Sequence, residues 1–355
     1  MISLILKYDK TVLMRIFYLL TILFFAVSCK QDKKQSQKVE HDNTSFVLAF
    51  GSCNNQTLQN ELFKEIITVK PDVWVWGGDI IYADTEDMGL MQKYYNQVKT
   101  DSNYLALVKA TDIIGTWDDH DYGVNDGGYE YVKKDSSQQL LLNFLDVPDT
   151  DLRRSQQGVY TSKIYKSGIY SINIILLDTR YFRSPLKKDP TGEKRYLPDS
   201  TAQKTILGNA QWQWLKDNLT YSKADFNIIM SSIQFLSSEH GFETWGNMPM
   251  EVTKMKQLLI NSGANNVIFL SGDRHIAEIS KAEIKGLRYP LIDITSSGMT
   301  HSYTSYSYEP NQYRVSEVVK DKNYGLLKFD LEKKIVKCEI VGLNNEVLIN
   351  YTQQY

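Results

Sequence analysis

Along this chain, short apolar runs close repeatedly on aspartate. Val73-Trp74-Val75-Trp76 leads through two glycines to Asp79 in VWVWGGDIIYAD, with Tyr82 three residues on. The same grammar returns in DIIGTWDDHD, ending in Asp118, Asp119, His120 and Asp121, and in NVIFLSGDRH, ending in Asp273 and His275. The runs predict strands at 46–50, 73–76, 159–165, 170–177, 227–231 and 267–271. Helical spacing predicts a helix through Leu58, Leu62, Ile66 and Ile67, and others at 88–99, 136–145, 209–220 and 250–262. This is βαβ layering, an α/β fold. Beyond His275, segments 289–295, 324–329, 335–341 and 346–350 alternate at period two, as hairpin strands do. No internal repeat is visible, and nothing within 45–355 forces a domain boundary.

In open α/β sheets, ligands bind just beyond the carboxyl ends of the strands. Three tips carrying Asp, Tyr and His therefore predict one shared site, and those donors predict a metal centre.

Composition narrows the class. With 355 residues, 42% hydrophobic and 23% charged, the chain can bury a large core and is not a disordered or low-complexity protein. A formal net charge of -2 argues against the broad electrostatic grip of nonspecific nucleic-acid binding. An anionic substrate must then be captured locally, by metals and a few basic side chains.

The N-terminus bears on the compartment. Arg15 precedes the apolar run 16–27, which is short for a membrane span and reads as the core of an export signal. The run ends at Ala26-Val27-Ser28-Cys29 and turns polar in KQDKKQSQKVEHDN. This resembles a bacterial lipoprotein signal: 1–28 removed, Cys29 lipidated, and 29–44 a tether to the membrane. The expected location is the bacterial cell envelope, on its periplasmic or outer face; a cleaved soluble form and an uncleaved anchor are the alternatives. Of the remaining thiols, Cys53 stands at a strand tip in LAFGSCNN, where a ligand role competes with a disulfide to Cys338 or an idle buried thiol. Cys338, within KKIVKCEIVGL, is expected in the core.

Taken in order, GSC at Cys53, GGDIIYAD at Asp79, GTWDDHDYGVND at Asp119, LLDTRYFRSP at Arg180, LGNAQWQWL at Trp212 and SGDRH at Asp273 resemble the alkaline phosphatase D (PhoD-like) family of metallophosphoesterases. The similarity runs from about 46 to about 302. It implies a four-layer αββα sandwich with two mixed sheets, the strand-rich C-terminus completing the second sheet. It also implies hydrolysis of phosphate mono- or diesters by metal-activated hydroxide, with no protein nucleophile.

On that pattern, Cys53, Asp79, Tyr82 and His275 form a strongly donating set suited to Fe3+. Asp79 again, Asp119, Asp273 and the amide oxygen of Gln234 form an all-oxygen set for a hard divalent ion: Ca2+ first, then Mg2+ or Mn2+. Asp119 rather than Asp118 is selected by matching DDHD to the Gly-Asn-His-Glu of relatives. His120 is the candidate proton donor to the leaving oxygen, oriented by Asp121 or a nearby carboxylate. Arg180 is the candidate phosphate clamp, with an ion pair to Asp178 or another acid as its bland alternative. Asn125, His240 and Trp245 are candidates to line the substrate entrance. A monomer is expected. The competing class is a surface lipoprotein that binds a ligand through a degenerate site of this kind.

Overall fold

The computed structural model describes residues 43–355; Cys29, the export signal and nearly all of the tether lie outside the described residues. The first half lays down β1 (Ser45–Gly51), α1 (Leu62–Thr68), β2 (Val73–Gly77), α2 (Met88–Lys99), α3 (Ser102–Ala110), β3 (Asp112–Thr116), the single turn α4 (Asp119–Tyr122) and α5 (Lys134–Phe144). There follow β4 (Thr161–Ser167), β5 (Tyr170–Leu176), a small hairpin of β6 (Lys187–Lys188) and β7 (Tyr196–Leu197), α6 (Gly208–Thr220), β8 (Phe226–Met230) and α7 (Pro249–Ser262). The chain ends with β9 (Val267–Ser271), β10 (Ala277–Ala282), β11 (Leu291–Ser296), β12 (Tyr324–Asp330), β13 (Ile335–Val341) and β14 (Val347–Gln354).

These strands build two six-stranded sheets, ordered β14-β13-β12-β1-β2-β3 and β10-β11-β9-β8-β5-β4. Parallel strands sit at the heart of each: β1, β2 and β3 in the first, and β5, β8, β9 and β11 in the second. Alternation along each strand then sorts the side chains into layers. Val73 and Val75 face inward to a core shared with Phe50, Ile228, Met230 and Leu270. Trp74 and Trp76 face outward, ring centroids 5.2 Å apart and perpendicular, beneath Phe63 of α1 and Tyr104 of α3. On the far side, Ile175, Ile229 and Phe269 lie under Trp212 and Leu215 of α6 and Met255 and Leu259 of α7. The result is the predicted four-layer αββα sandwich.

Three expectations need correction. The helix expected from Leu58 begins at Leu62, and Leu58 sits 47% exposed in the preceding turn. Helix α3 gave no clear period because Leu105 and Val108 lie on its exposed side. The C-terminal meander β12–β14 does not complete the second sheet: β12 pairs antiparallel with β1 and extends the first. The second sheet is finished instead by β11 and β10, whose Glu278 and Ser280 are buried and hide its strand pattern. Cys338 is in the core between the sheets, as expected.

Candidate metal centre

Cys53, Asp79, Asp119 and Asp273 each stand two or three residues past the end of a parallel strand, β1, β2, β3 and β9 respectively. Two glycines let these tips meet. A side chain on Gly78, at φ +95, would lie 2.4 Å from Asp118 Cβ; one on Gly272 would lie 2.4 Å from Ser52 Oγ and 3.0 Å from the Gly77 carbonyl oxygen. The GGD and SGD motifs are thus packing devices that bring the two sheets into contact at this edge.

The backbone beside them is strained. Cys53 (φ 62), Asp79 (φ 51), Asp273 (φ 66) and His275 (φ 55) all occupy the left-handed region. Asp and His visit it more readily than most residues, but a cysteine there is unusual, and each such position costs on the order of 1 kcal/mol or more. Strain of this kind collects where geometry serves function.

The side chains converge on Asp79. Cys53 Sγ donates to Asp79 Oδ2 at 3.4 Å and Tyr82 Oη donates to the same oxygen at 3.3 Å. Tyr82 Oη lies 3.5 Å from His275 Nε2. Asp79, Asp119 and His120 each bring a ligand-type atom within 4.8 Å of the others, as do Asp118, Asp119 and Asp273. Asp121 ties the tips together from below, accepting from the backbone N–H groups of Asp79 (3.1 Å), Ile80 (3.1 Å) and Asp118 (2.7 Å).

The electrostatics ask for cations. Burial and the Asp119 charge push the Asp79 carboxyl well above the carboxylate range, and the same pair pushes Asp273 up to about 7. Burial lifts the Cys53 thiol, with Asp79 adding to it, and lifts the Tyr82 phenol, with Cys53 and Asp79 adding. Burial and the neighbouring His301 take His275 down to about 3, so its imidazole is neutral and able to coordinate. Asp119 alone falls, to about 2: burial opposes its charge, but Arg180, His120 and the Asp126 backbone N–H outweigh burial. Crowded acids, a thiol, a phenol and a neutral imidazole form a donor set that bound metal ions would discharge. The residues fit a metal pair.

Other predicted residues fall elsewhere. Arg180 is wholly buried. Its Nε donates to Asp118 Oδ1 at 2.7 Å and its Nη1 to Glu243 Oε2 at 2.6 Å, so it braces the floor of the site and is not in the cavity wall. Gln234 is buried: its Nε2 donates to Glu278 (2.9 Å) and Thr295 (2.8 Å), and its amide oxygen, the atom expected as a ligand, has no hydrogen-bond partner among the described residues. After β8 ends at Met230 it is Ser232 that turns toward the acids, donating to Asp118 Oδ1 at 2.7 Å. Trp245 is a core residue, packed on Trp212 and Phe235 with its Nε1 donating to Ser231 Oγ at 2.8 Å. His240 accepts the Phe242 N–H at 3.1 Å and is not in the cavity wall. Asn125 is in that wall, where its Nδ2 donates to Asp119 Oδ2 at 3.1 Å. Cys53 and Cys338 are both free thiols.

A cavity of about 430 Å³ opens over the cluster, with Asp119, His120, Asp273, His275 and Asn125 in its wall. It also exposes His301 and groups that the sequence did not single out: Asp126, Arg195 and Arg274. Asp84 belongs with them, since its Oδ2 lies 2.6 Å from His120 Nδ1. It closes the GGDIIYAD motif, the one place where the sequence carried a signal for it.

Comparison with known proteins agrees with this geometry. Alkaline phosphatase D of Bacillus subtilis is 24% identical over 256 residues, which is 62% of this chain but 43% of that protein. The chain thus matches under half the length of this relative. Among solved structures, PhoD superposes with a TM-score of 0.66 over 88% of this chain and 68% of its own, at 18% identity. A dimetal phosphatase from Danio rerio gives 0.51 over 87% and 99%, at 13% identity. A sequence model described as PhoD-like phosphatase matches residues 48–324, and on that match the chain belongs to the PhoD-like phosphatase family.

Proposed function

We propose that this chain is a metal-dependent phosphoesterase that hydrolyses phosphate monoesters, diesters or both. The observation that carries this reading is the convergence of Cys53, Asp79, Tyr82, Asp119, Asp273 and His275 at one edge of both sheets, four of them in left-handed backbone. Cys53, Asp79, Tyr82 and His275 would hold trivalent iron; Asp79, Asp119, Asp273 and the unpartnered amide oxygen of Gln234 would hold a hard divalent ion, calcium before magnesium or manganese. Such a pair supplies an activated water and neutralises charge on the phosphoryl oxygens. A binding protein with a degenerate site would have no reason to keep so complete a set. Release of the leaving alcohol by residues 30–355 from one phosphate monoester and one phosphate diester tests the reading; turnover of neither would favour the binding protein.

The chain's own contribution to proton transfer falls to His120. Asp84 engages its Nδ1, which leaves Nε2 for the leaving oxygen. Burial works to lower the His120 pKa, but the Asp84 bond and the Asp79 and Asp119 charges outweigh it and lift it to about 10. Cations on those two aspartates would take back part of that rise. His120→Ala is expected to lower kcat about 10²- to 10⁴-fold on an ester with a poor leaving group, and much less on an activated aryl ester. Equal losses on both would remove the proton-donor role.

The iron assignment has its own readout. Phenolate and thiolate bound to a trivalent iron give a visible charge-transfer band, so the purified protein is expected to be coloured and Tyr82→Phe to shift or abolish that band. A colourless protein holding only zinc would overturn iron while leaving the phosphoesterase reading in place.

Export and anchoring through Cys29 belong to the same proposal, resting on the N-terminal pattern alone. Cys29→Ser is expected to move the protein from the membrane fraction to the soluble one with its specific activity kept. Retention at the membrane would contradict the anchor.

A further inference from the structure

We propose that Arg195, on the β6–β7 hairpin, is the residue that binds the phosphoryl oxygens of the substrate; this deepens the phosphoesterase reading and rests on it. Arginine is suited to that task because its planar fork matches a phosphate. Four arginines lie in or beneath the cavity wall, and three are buried against carboxylates. Arg180 is held by Asp118 and Glu243. Arg183 is 1% exposed and bonded to Glu243, the Ser184 carbonyl and the Asp126 carbonyl. Arg274 donates from Nη2 to both carboxylate oxygens of Glu309 at 2.8 Å and stacks 4.2 Å over Phe242.

Arg195 differs in exposure. Its side chain lines the cavity and is 48% exposed, with an ion pair from one nitrogen, Nη2, to Asp126, whereas the Arg274 side chain, in the same wall, is 7% exposed. A guanidinium carries five N–H donors, so the rest of the fork remains for an incoming anion.

The hairpin is anchored where such a group must hold still. Tyr196 N donates to the Gly241 carbonyl at 2.9 Å, Tyr196 Oη to Asp126 Oδ2 at 2.7 Å and Lys194 Nζ to the Glu239 carbonyl at 3.1 Å. Asp126 in turn donates its backbone N–H to Asp119 Oδ2 at 2.7 Å. Arg195 is therefore registered, through one residue, to a carboxylate of the metal centre.

The test measures the calorimetric Kd of inorganic phosphate, and KM for a phosphate monoester, in the metal-loaded parent, Arg195→Ala and Arg195→Lys. Loss of a charge-assisted contact is expected to raise Kd and KM about 10- to 10²-fold in the alanine variant, more than kcat falls, with lysine recovering part of the loss. Parental Kd and KM in Arg195→Ala would overturn the assignment. A parent that binds phosphate but turns over no ester would count against the phosphoesterase reading, while the Kd comparison still decides the role of Arg195.

Discussion

Asp79→Asn is expected to lower ester turnover about 10³-fold or more while leaving the metal-free fold as stable as the parent, or more so. Asp79 is the residue that the two proposed ligand sets share, and the Cys53 thiol and the Tyr82 phenol both donate to its Oδ2. Its carboxyl is already pushed upward by burial and by the Asp119 charge. Asparagine keeps the shape and tolerates the left-handed backbone at φ 51, but it removes the carboxylate charge that both metals would share. Repulsion within the acid cluster falls with it, which is why the fold does not suffer. Turnover, metal content and the urea unfolding midpoint of metal-free protein check this together. An Asp79→Asn protein that keeps its metals and its rate would remove Asp79 from the centre.

Arg180→Ala is expected to act in the opposite way, chiefly on stability. The guanidinium is fully buried between Asp118 and Glu243, and its removal leaves those carboxylates with Ser232 and Arg183 as their remaining side-chain partners among the described residues. Breaking a buried pair by deleting one member destabilises by about 3–5 kcal/mol. A large drop in the urea midpoint is the expected observation. A protein of parental stability that had lost only phosphate affinity would return Arg180 to the role of phosphate clamp.

These two residues also show which parts of the site were legible beforehand. Asp79, Asp119 and Asp273 announce themselves because each follows an apolar run, and a parallel strand delivers whatever stands at its end to a common edge. Chain order and burial are enough to read that. The layers follow equally well: alternating Val73-Trp74-Val75-Trp76 can only be a strand covered on both faces, one by another sheet and one by helices.

What failed depended on how side chains turn after a strand has ended. Ser232, two residues beyond Met230, turns to donate to Asp118, and nothing in its sequence setting announced it. Arg180 and Trp245 occur in polar loops, where sequence does not distinguish a side chain facing the solvent from one folded beneath the site. Both are fully buried. Asp84 and Arg195 were passed over for a related reason. Each matters through one partner far away in sequence, His120 for the first and Asp126 for the second. The pairing of β12 with β1 was beyond reach because period-two alternation identifies a strand but not its neighbour.

The most direct test of the metal-centre reading is ester turnover by purified residues 30–355 through one cycle of metal removal and return. Chelation of the hard divalent ion is expected to abolish turnover, and calcium, magnesium or manganese to restore it in proportion to the metal bound. Turnover that persists at the parental rate after all metal has been removed would contradict it.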